Sequence, residues 1–426
     1  MTAQAHPNDI KKPIPARLPF YYGWVNLLMA ALAMVATLPG RSVGIGLITE
    51  PLIADLGLTR LSFGEMNFWA TLLGASFNLL CGPAIDRFGA RSVVAVILAA
   101  LGFILLAFSN VVTAGMLLLL LILIRGLGQS ALSVVSLTIV GKWFVRRLSI
   151  AMGIFSVIIS MAFGAAILFT QSQVLSLGWR ATWAGLGWVL LGAAVVAFLL
   201  VRPSPESIGL DADTEKNSEK SKSQESASVG FTLKGAFKTP AFWVFAIGSG
   251  FYNLVIAGVL LFNQSILQQL GFGETVFRYA MAMFMITGLG GNILAGWLAR
   301  KWSLGKLMSI AMLLVVVYLL LFPFLRTVAQ TLCHAGLLGF AGGVVAVIFF
   351  TAWGKVFGRL HLGKIQGSAQ VFTVFASAIG PWFLAYVFDK TGSYAPAFYT
   401  LAPAIAVVAI AGWFVRIPVP KDFKLK

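Results

Sequence analysis

The sequence predicts an all-α membrane protein with twelve transmembrane helices, arranged as two parallel halves of six helices each. Hydrophobic residues make up 59% of the chain and charged residues only 11%, whereas soluble domains carry about 25% charged residues. Apolar runs long enough for a ~30 Å hydrocarbon core recur along nearly all of the 426 residues. The two halves also repeat each other in register.

The predicted spans are helices because backbone polar groups inside lipid must be satisfied within their own segment. Their bounds are residues 20–47, 62–85, 91–110, 113–140, 149–174, 181–201, 241–267, 276–299, 305–326, 329–353, 365–387 and 395–415.

The spans divide the chain into two halves. The N-terminal half covers residues 20–201 and the C-terminal half covers residues 241–417. Residues 202–240 between them are polar, with a centre rich in Lys, Glu, Ser and Asp, so we expect a linker. Short tails, residues 1–19 and 418–426, complete the chain.

Lysine and arginine residues orient the predicted bundle. They cluster in both tails, in the linker, and in the loops that follow spans 2, 4, 8 and 10. All these segments lie on one side of the membrane if both termini do. Because cytoplasmic loops are enriched in Lys and Arg, we expect both termini in the cytoplasm and a multi-pass protein of the bacterial cytoplasmic (inner) membrane. The net charge of +17 is thereby explained without a nucleic-acid partner.

An internal repeat supports the two halves. At an offset of 214 residues, identical residues fall on one another: Leu56 on Leu270, Gly74 on Gly288, Asn78 on Asn292 and Gly82 on Gly296. Six spans separate the copies, so both run in the same direction through the membrane, as in parallel transporter repeats. The second copy has Arg300 where the first has Asp86, so we expect an asymmetric gate.

A charged loop after span 2 carries a recognisable motif. It reads Gly82-Pro-Ala-Ile-Asp86-Arg87-Phe-Gly89-Ala-Arg91, where Gly89 permits a tight turn. This pattern resembles the loop between helices 2 and 3 of the major facilitator superfamily of transporters. The resemblance implies the major facilitator fold and a gating role for Asp86, Arg87 and Arg91.

Further motifs resemble the monocarboxylate transporter and oxalate/formate antiporter branch. They are Tyr21-Tyr22-Gly23-Trp24, Arg125-Gly126-Leu-Gly128-Gln129, Gly178-Trp179-Arg180-Ala-Thr-Trp183, and the stretch from Gly380-Pro381 to Tyr394. Carboxylate-transporting members typically carry an Asp and an Arg in helix 8, where this chain reads Gly288-Leu-Gly-Gly-Asn292. Pro39-Gly40-Arg41 resembles the Pro-Lys pair of helix 1, with one extra residue, so a helix-1 cation remains.

Charges at membrane depth are costly and need a reason. Arg41 shares a face with Thr37 and is either an anion site or a cation that snorkels to the outer interface. A rise of ~1.5 Å per residue places it about 31 Å from the start of its span, near that interface. We expect Arg125, deeper in span 4, to cap carbonyls or bias proton transfer. Glu65 is the best acid for protonation, or else an exposed acid at a helix start.

Polar stripes in spans 2 and 7 supply the other candidates. Such stripes line a cavity or form interhelical hydrogen bonds. The remaining substrate-binding candidates are Asn67, Thr71, Tyr252, Asn253, Asn263 and Gln264. We interpret His334 as a packed polar residue.

The leading functional hypothesis is a secondary transporter of a small organic anion, a monocarboxylate, coupled to protons or to a counter-substrate. The alternative is a proton-driven exporter of drugs or neutral metabolites, which 13% aromatic residues and sparse charge permit. A sensor or membrane enzyme is a third class, but no nucleophile–base set or metal cluster is visible, so we expect no enzyme activity and no cofactor. An ATP-driven pump is disfavoured because no G-x-x-x-x-G-K-[ST] motif occurs. We expect a monomer in the lipid bilayer.

Overall fold

The computed structural model describes residues 21–144, 147–205, 207, 231–358 and 362–418. In those ranges all regular elements are helices. The predicted N-terminal tail, the centre of the linker and the last eight residues lie outside the described residues, as do Arg146 and Arg359.

In the residues that the structure describes, the N-terminal half is built from nine α-helices. They are α1 (Gly23–Val35), α2 (Ser42–Gly46), α3 (Thr49–Leu56), α4 (Arg60–Ala75), α5 (Phe77–Phe108), α6 (Ala114–Ile124), α7 (Ser133–Trp143), α8 (Leu148–Leu177) and α9 (Trp179–Leu200). A short 3-10 helix, Leu38–Gly40, joins α1 to α2, and a π-helical segment, Arg125–Leu132, joins α6 to α7.

The C-terminal half contains a short entry helix and six long helices. They are α10 (Leu233–Phe237), α11 (Pro240–Gln269), α12 (Glu274–Leu298), α13 (Leu304–Leu321), α14 (Val328–Phe357), α15 (Leu362–Thr391) and α16 (Ala395–Phe414).

The chain is a multi-pass membrane protein with a twelve-helix fold. Eleven helical stretches in the described ranges are long and apolar enough to cross a membrane. The remaining crossing runs along α4 into α5. Helix α4 has only 16 residues, so this crossing is completed by the first turns of α5.

The bundle has two ends, which we name by the connection between the halves. The linker end contains the last turn of α9 and the first turn of α11. The far end contains the first turn of α9 and the last turn of α11. The halves meet where α4 packs on α15, α2 on α11, and α8 on α12. At the far end, the side chain of Arg60 reaches the ring of Phe388 in the other half, with the guanidinium carbon 5.1 Å from the ring centroid.

The structure corrects the first predicted span, which is not one helix. Proline lacks an N–H and its ring crowds the carbonyl four residues earlier, so Pro39 cannot continue α1, which ends at Val35. The chain then forms the 3-10 turn and restarts at Ser42. The distance counted along a straight helix to Arg41 is therefore wrong.

The motif after span 2, predicted to form a loop, is helical except for a break at one glycine. Helix α5 is assigned through the whole motif, and the break within it is at Gly89, with φ 78° and ψ 150°. Residues with a Cβ rarely adopt a positive φ. The predicted turn at Gly89 is confirmed, while the rest of the motif is helical.

Candidate functional site

Arg41 lies at the break between α1 and α2, and its side chain points toward the middle of the bundle. Its Nε donates to Thr37 Oγ1 at 2.7 Å, and Nη2 donates to Ser133 Oγ at 3.2 Å. Its guanidinium carbon lies 5.3 Å from the ring centroid of Phe163, which is halfway along α8. The group therefore does not reach out toward the far-end interface.

Arg125 begins the π-helical segment and is 2% exposed. Its Nη1 donates to Gln129 Oε1 at 2.7 Å, both terminal nitrogens lie 3.3 Å from Ser42 Oγ, and Nη2 donates to Asn67 Oδ1. These partners belong to α2, α4 and the π segment itself. Arg125 therefore ties the broken first span to two neighbouring crossings.

The two arginines form a cationic pair without an acidic partner in the described part of the chain. The ion pairs seen there, Arg60–Glu50 at 2.7 Å and Arg180 with Asp55 at 3.5 Å, are at the far end. The end of α1 beside Arg41 supplies partly negative carbonyls. Taking two cations out of water is expensive unless they are paired. A negatively charged molecule would therefore be stabilised in this cluster.

The internal repeat shows that this cluster belongs to the N-terminal half alone. At the offset of 214 residues, Arg41 corresponds to Val255 and Asn67 to Met281. At 213 residues, the offset that superimposes the end of span 4 on span 10, Arg125 corresponds to Leu338. Apolar residues thus replace the cations and the amide in the second copy.

The polar stripe predicted in span 2 faces the π segment. Asn67 and Thr71 are buried, and Asn67 bonds to Arg125. The hydroxyl of Thr71 donates to the carbonyl of Asn67 at 2.7 Å, within its own helix. A Cβ on Gly74 would lie 2.8 Å from the Cβ of Arg125, so glycine permits this close approach.

The span 7 candidates lie apart from the arginines and bond within their own half. The Tyr252 hydroxyl lies 3.4 Å from the Leu338 carbonyl, and Asn253 Nδ2 donates to the Ser249 carbonyl at 2.8 Å. Asn263 Nδ2 lies 3.1 Å from the sulfur of Met281. Gln264 is half-buried.

Of the predicted coupling and gating residues, Arg125 belongs to the cluster, whereas Glu65, Arg87 and Arg91 do not join it. Glu65 is exposed on α4, and Arg87 is exposed near the linker end. Arg91 Nε donates to the Phe198 carbonyl on α9 at 2.6 Å. The side chain of Asp86 lies outside what the structure describes.

Sequence reasoning missed four side chains of the cluster: Ser42, Gln129, Ser133 and Phe163. Gln129 carried a signal, because it falls one helical turn after Arg125 and is part of the same motif. The other three are brought to the arginines by tertiary packing.

The uncharged stretch in span 8 has a packing role. An added Cβ on Gly291 would overlap the Phe340 carbonyl, and one on Gly343 would overlap the Gly288 carbonyl. Helices α12 and α14 therefore touch backbone to backbone. Charged side chains at these glycine positions would separate them.

Comparison with known proteins gives consistent results. The sequence model of the Major Facilitator Superfamily matches residues 29–334 and 255–426. Monocarboxylate transporter 2 of Mus musculus is 22% identical over 448 residues, which cover 98% of this chain and 89% of that protein. Monocarboxylate transporter 6 of Mus musculus is 31% identical over 184 residues, 42% of this chain and 38% of that protein.

A solved structure has the same fold. It is the crystal structure of a bacterial homolog to the human lysosomal transporter Spinster, in an inward-facing and occupied conformation. The match has a TM-score of 0.68 at 15% identity and covers 92% of this chain and 96% of that chain.

Proposed function

Because this chain belongs to the Major Facilitator Superfamily, we propose that it is a secondary transporter of a small organic anion, a monocarboxylate, working by alternating access. The family and its structural neighbours identify a transporter rather than an enzyme, with a small-molecule substrate and a place in the membrane. The observation that supports an anionic substrate is the pair formed by the half-buried Arg41 and the buried Arg125, which has no carboxylate partner among the described residues.

Arg41 is the substrate-binding cation of the two. The terminal nitrogens of Arg125 donate hydrogen bonds to three neutral oxygens, whereas Arg41 Nη1 makes no hydrogen bond to any described residue. A carboxylate at Arg41 would accept charge-assisted hydrogen bonds, which are about twice as strong as neutral ones. The hydroxyls of Thr37 and Ser133 already hold the guanidinium in place.

Alternating access follows from the two-half architecture. Residues 20–201 and 241–417 act as the two rocking bodies, joined by the linker of residues 202–240. With the linker end in the cytoplasm, as the basic residues favour, contacts such as that between Arg60 and Phe388 close the outer side. The likeness to an inward-facing structure supports the same state.

Coupling by protons or by exchange with a counter-substrate completes this proposal. The protein then works as a monomer in a bacterial cytoplasmic membrane, with both tails in the cytoplasm.

An exporter of drugs or neutral metabolites is the second candidate. It is favoured by the apolar residues that replace the cluster in the C-terminal half, Val255, Met281 and Leu338. A neutral substrate would leave the two arginines unpaired, so the anion is the better match.

Uptake into proteoliposomes tests the proposal. Labelled acetate, lactate, pyruvate and formate are offered to wild type, Arg41→Lys and Arg41→Gln, with Arg278→Gln, an exposed arginine of α12, as the control. Lysine keeps the charge without the planar fork and retains partial binding. Arg41→Gln loses roughly 2 kcal/mol, about thirtyfold in affinity, because the carboxylate is left unpaired. Equal affinity of Arg41→Gln and wild type would refute the anion site.

A further inference from the structure

A cavity inside the C-terminal half contains a buried imidazole. It lies between α11, α12, α13 and α14 toward the far end, and most of its wall is apolar. Its polar side chains include Asn263, Thr331 and His334. His334 is 5% exposed and lies six residues after the start of α14.

The hydrogen bond made by His334 reveals its tautomer. Its Nε2 lies 2.7 Å from the carbonyl oxygen of Tyr318, and a carbonyl oxygen only accepts, so Nε2 carries the hydrogen. Tyr318 is in the last turn of α13, where carbonyls lack helical partners. Its ring stacks on the imidazole at 3.9 Å between centroids. In the neutral ring, Nδ1 therefore carries a lone pair and no hydrogen, and it has no hydrogen-bond partner among the described residues.

Among the described residues, no carboxylate lines this cavity. The acids nearest the far end, Glu50, Asp55 and Asp389, sit at its surface or in its ion pairs, and Glu65 and Glu274 are exposed. Imidazole ordinarily changes charge between pH 5 and 8. If a proton is carried through the described interior, His334 is the group able to hold it.

The titratable neighbours of His334 carry no charge. From α13, Tyr318 stacks on it, and from α11, Tyr252 approaches the carbonyl of Leu338 one turn later. Glu274, Arg278 and Arg326 are exposed at the far end and do not line the cavity. No fixed charge on the packed helices would therefore compete with a proton on the ring.

The cavity is adjacent to α2, whose first residue contacts the arginine cluster. Leu260 lines the cavity, and its carbonyl lies so close to Gly46 that an added Cβ there would overlap it. Gly46 ends α2, whose first residue, Ser42, accepts from Arg125. A change in the packing of α2 on α11 would therefore move residues at both the arginine cluster and the cavity of His334.

We propose that His334 is the proton-binding site of this transporter, accepting a proton at Nδ1 when an anion is carried. This rests on the proposed function. The imidazole lone pair forms one N–H bond and the ring gains one positive charge, which compensates the charge of one bound monocarboxylate. An unsolvated cation in an apolar wall is costly, so the oxygens of Asn263 and Thr331, or water in the cavity, stabilise the imidazolium.

The transport test separates proton drive from substrate movement. Proteoliposomes with wild type or His334→Gln take up labelled lactate, acetate, pyruvate or formate, either down an imposed pH gradient or by exchange at equal pH. Glutamine can still donate to the Tyr318 carbonyl but cannot take up a proton. The pH-driven uptake of His334→Gln falls about tenfold or more, and this loss exceeds any loss of exchange, in which no net proton moves. The double variant His6→Gln/His361→Gln is the control and behaves as wild type.

A second measurement needs no transport. In the His6→Gln/His361→Gln background, nitrogen NMR of isotope-labelled His334 in nanodiscs should show Nε2–H in the neutral ring and protonation of Nδ1 as the pH is lowered. A ring that stays neutral at every pH at which the protein remains folded overturns the proposal, as does unchanged pH-driven uptake in His334→Gln. Failure of wild type to move any of the four acids instead refutes the proposed function and leaves the NMR result to decide the proton site.

Discussion

At the scale of single residues, the proposed anion site depends on cations that are held by neutral oxygens. The guanidinium of Arg125 donates hydrogen bonds to side-chain oxygens of Ser42, Asn67 and Gln129, and none of these acceptors is charged. A carboxylate in any of these places would neutralise the guanidinium permanently. Neutral acceptors hold its geometry and leave its charge available to attract an anion at the neighbouring Arg41.

This reasoning predicts the effect of Asn67→Asp. The substitution keeps the shape of the side chain and converts the bond to Arg125 into an ion pair. The melting temperature should be unchanged or higher, while anion affinity falls about tenfold, because one charge lost at an effective dielectric constant near 20 costs roughly 1–2 kcal/mol. The change in anion affinity is measured from the shifts of the melting temperature that acetate and lactate induce.

Asn67→Ala is the matched control, since it removes the amide and adds no charge. It should destabilise the protein more than Asn67→Asp and weaken anion binding less. The reverse order would mean that Arg125 supports the fold without contributing to the potential at Arg41.

At the scale of elements, the proposed anion site lies where helices are interrupted. The first span breaks around Pro39-Gly40, span 4 becomes π-helical at Arg125, and α11 has non-helical angles at Phe262. Phe262 corresponds through the repeat to Ile48, which breaks the chain between α2 and α3. Both halves therefore interrupt the same crossing at the same place, which lets α2 pack on α11.

Gly40→Ala tests how closely these breaks are packed. A Cβ there would lie 2.6 Å from the Ile124 carbonyl oxygen and 2.9 Å from the Gln129 nitrogen, both main-chain atoms that cannot easily move. We expect a loss of about 1–3 kcal/mol of stability, seen as a lower melting temperature, together with weaker anion binding as Arg41 shifts.

Gly192→Ala in α9 is the control for Gly40→Ala. An added Cβ there meets nothing within 4 Å, and alanine favours a helix over glycine by about 1 kcal/mol. Its melting temperature should stay equal or rise. A stable Gly40→Ala protein with normal binding would show that the break is loosely packed.

At the scale of the whole molecule, the two halves close against each other at the far end. An added Cβ on Gly64 of α4 would lie 3.0 Å from the Cβ of Ala385 in α15. Nearby, Arg60 pairs with Glu50 in its own half and lies over Phe388 of the other. These contacts must separate if the far end opens during transport.

A disulfide across this contact should stop transport. A disulfide joins Cβ atoms about 3.5–4.5 Å apart, so the two Cβ atoms, which would lie 3.0 Å apart, need to separate by only about half an ångström. Gly64→Cys/Ala385→Cys, made with Cys81→Ser and Cys333→Ser, should therefore cross-link under oxidation. Uptake of labelled acid should stop and return on reduction. The two single-cysteine proteins serve as controls. Full uptake by the cross-linked protein would exclude opening at the far end.

Arg60→Gln in the same double-cysteine background should slow cross-linking. A cation over an aromatic ring contributes about 0.5–1 kcal/mol at exposed sites, so the ratio of closed to open protein should fall by about twofold to fivefold, and the cross-linking rate should fall with the closed fraction. Arg278→Gln, which changes another exposed arginine near the far end, should leave the rate unchanged. An unaltered rate in Arg60→Gln would show that this arginine does not hold the halves together.

The sequence by itself determined the membrane class, the twelve crossings and the family of this protein. These follow from local properties: run length, the spacing of basic residues, the repeat, and motifs such as the one ending at Arg91. Each can be read from neighbours along the chain, because lipid demands that every crossing satisfy its own backbone. Even the turn at Gly89 was visible, since its conformation is a property of one residue.

The tertiary structure alone decided how the arginines are arranged. Counting along an unbroken helix placed Arg41 near the outer boundary, but Pro39 ends α1 and turns the guanidinium back toward Ser133 and Phe163. Those partners lie about 90 and 120 residues away, so no periodicity within one span could reveal them. The same holds for His334, whose tautomer depends on a carbonyl of another helix. Contacts between helices are set by packing, which a pattern along one helix does not contain.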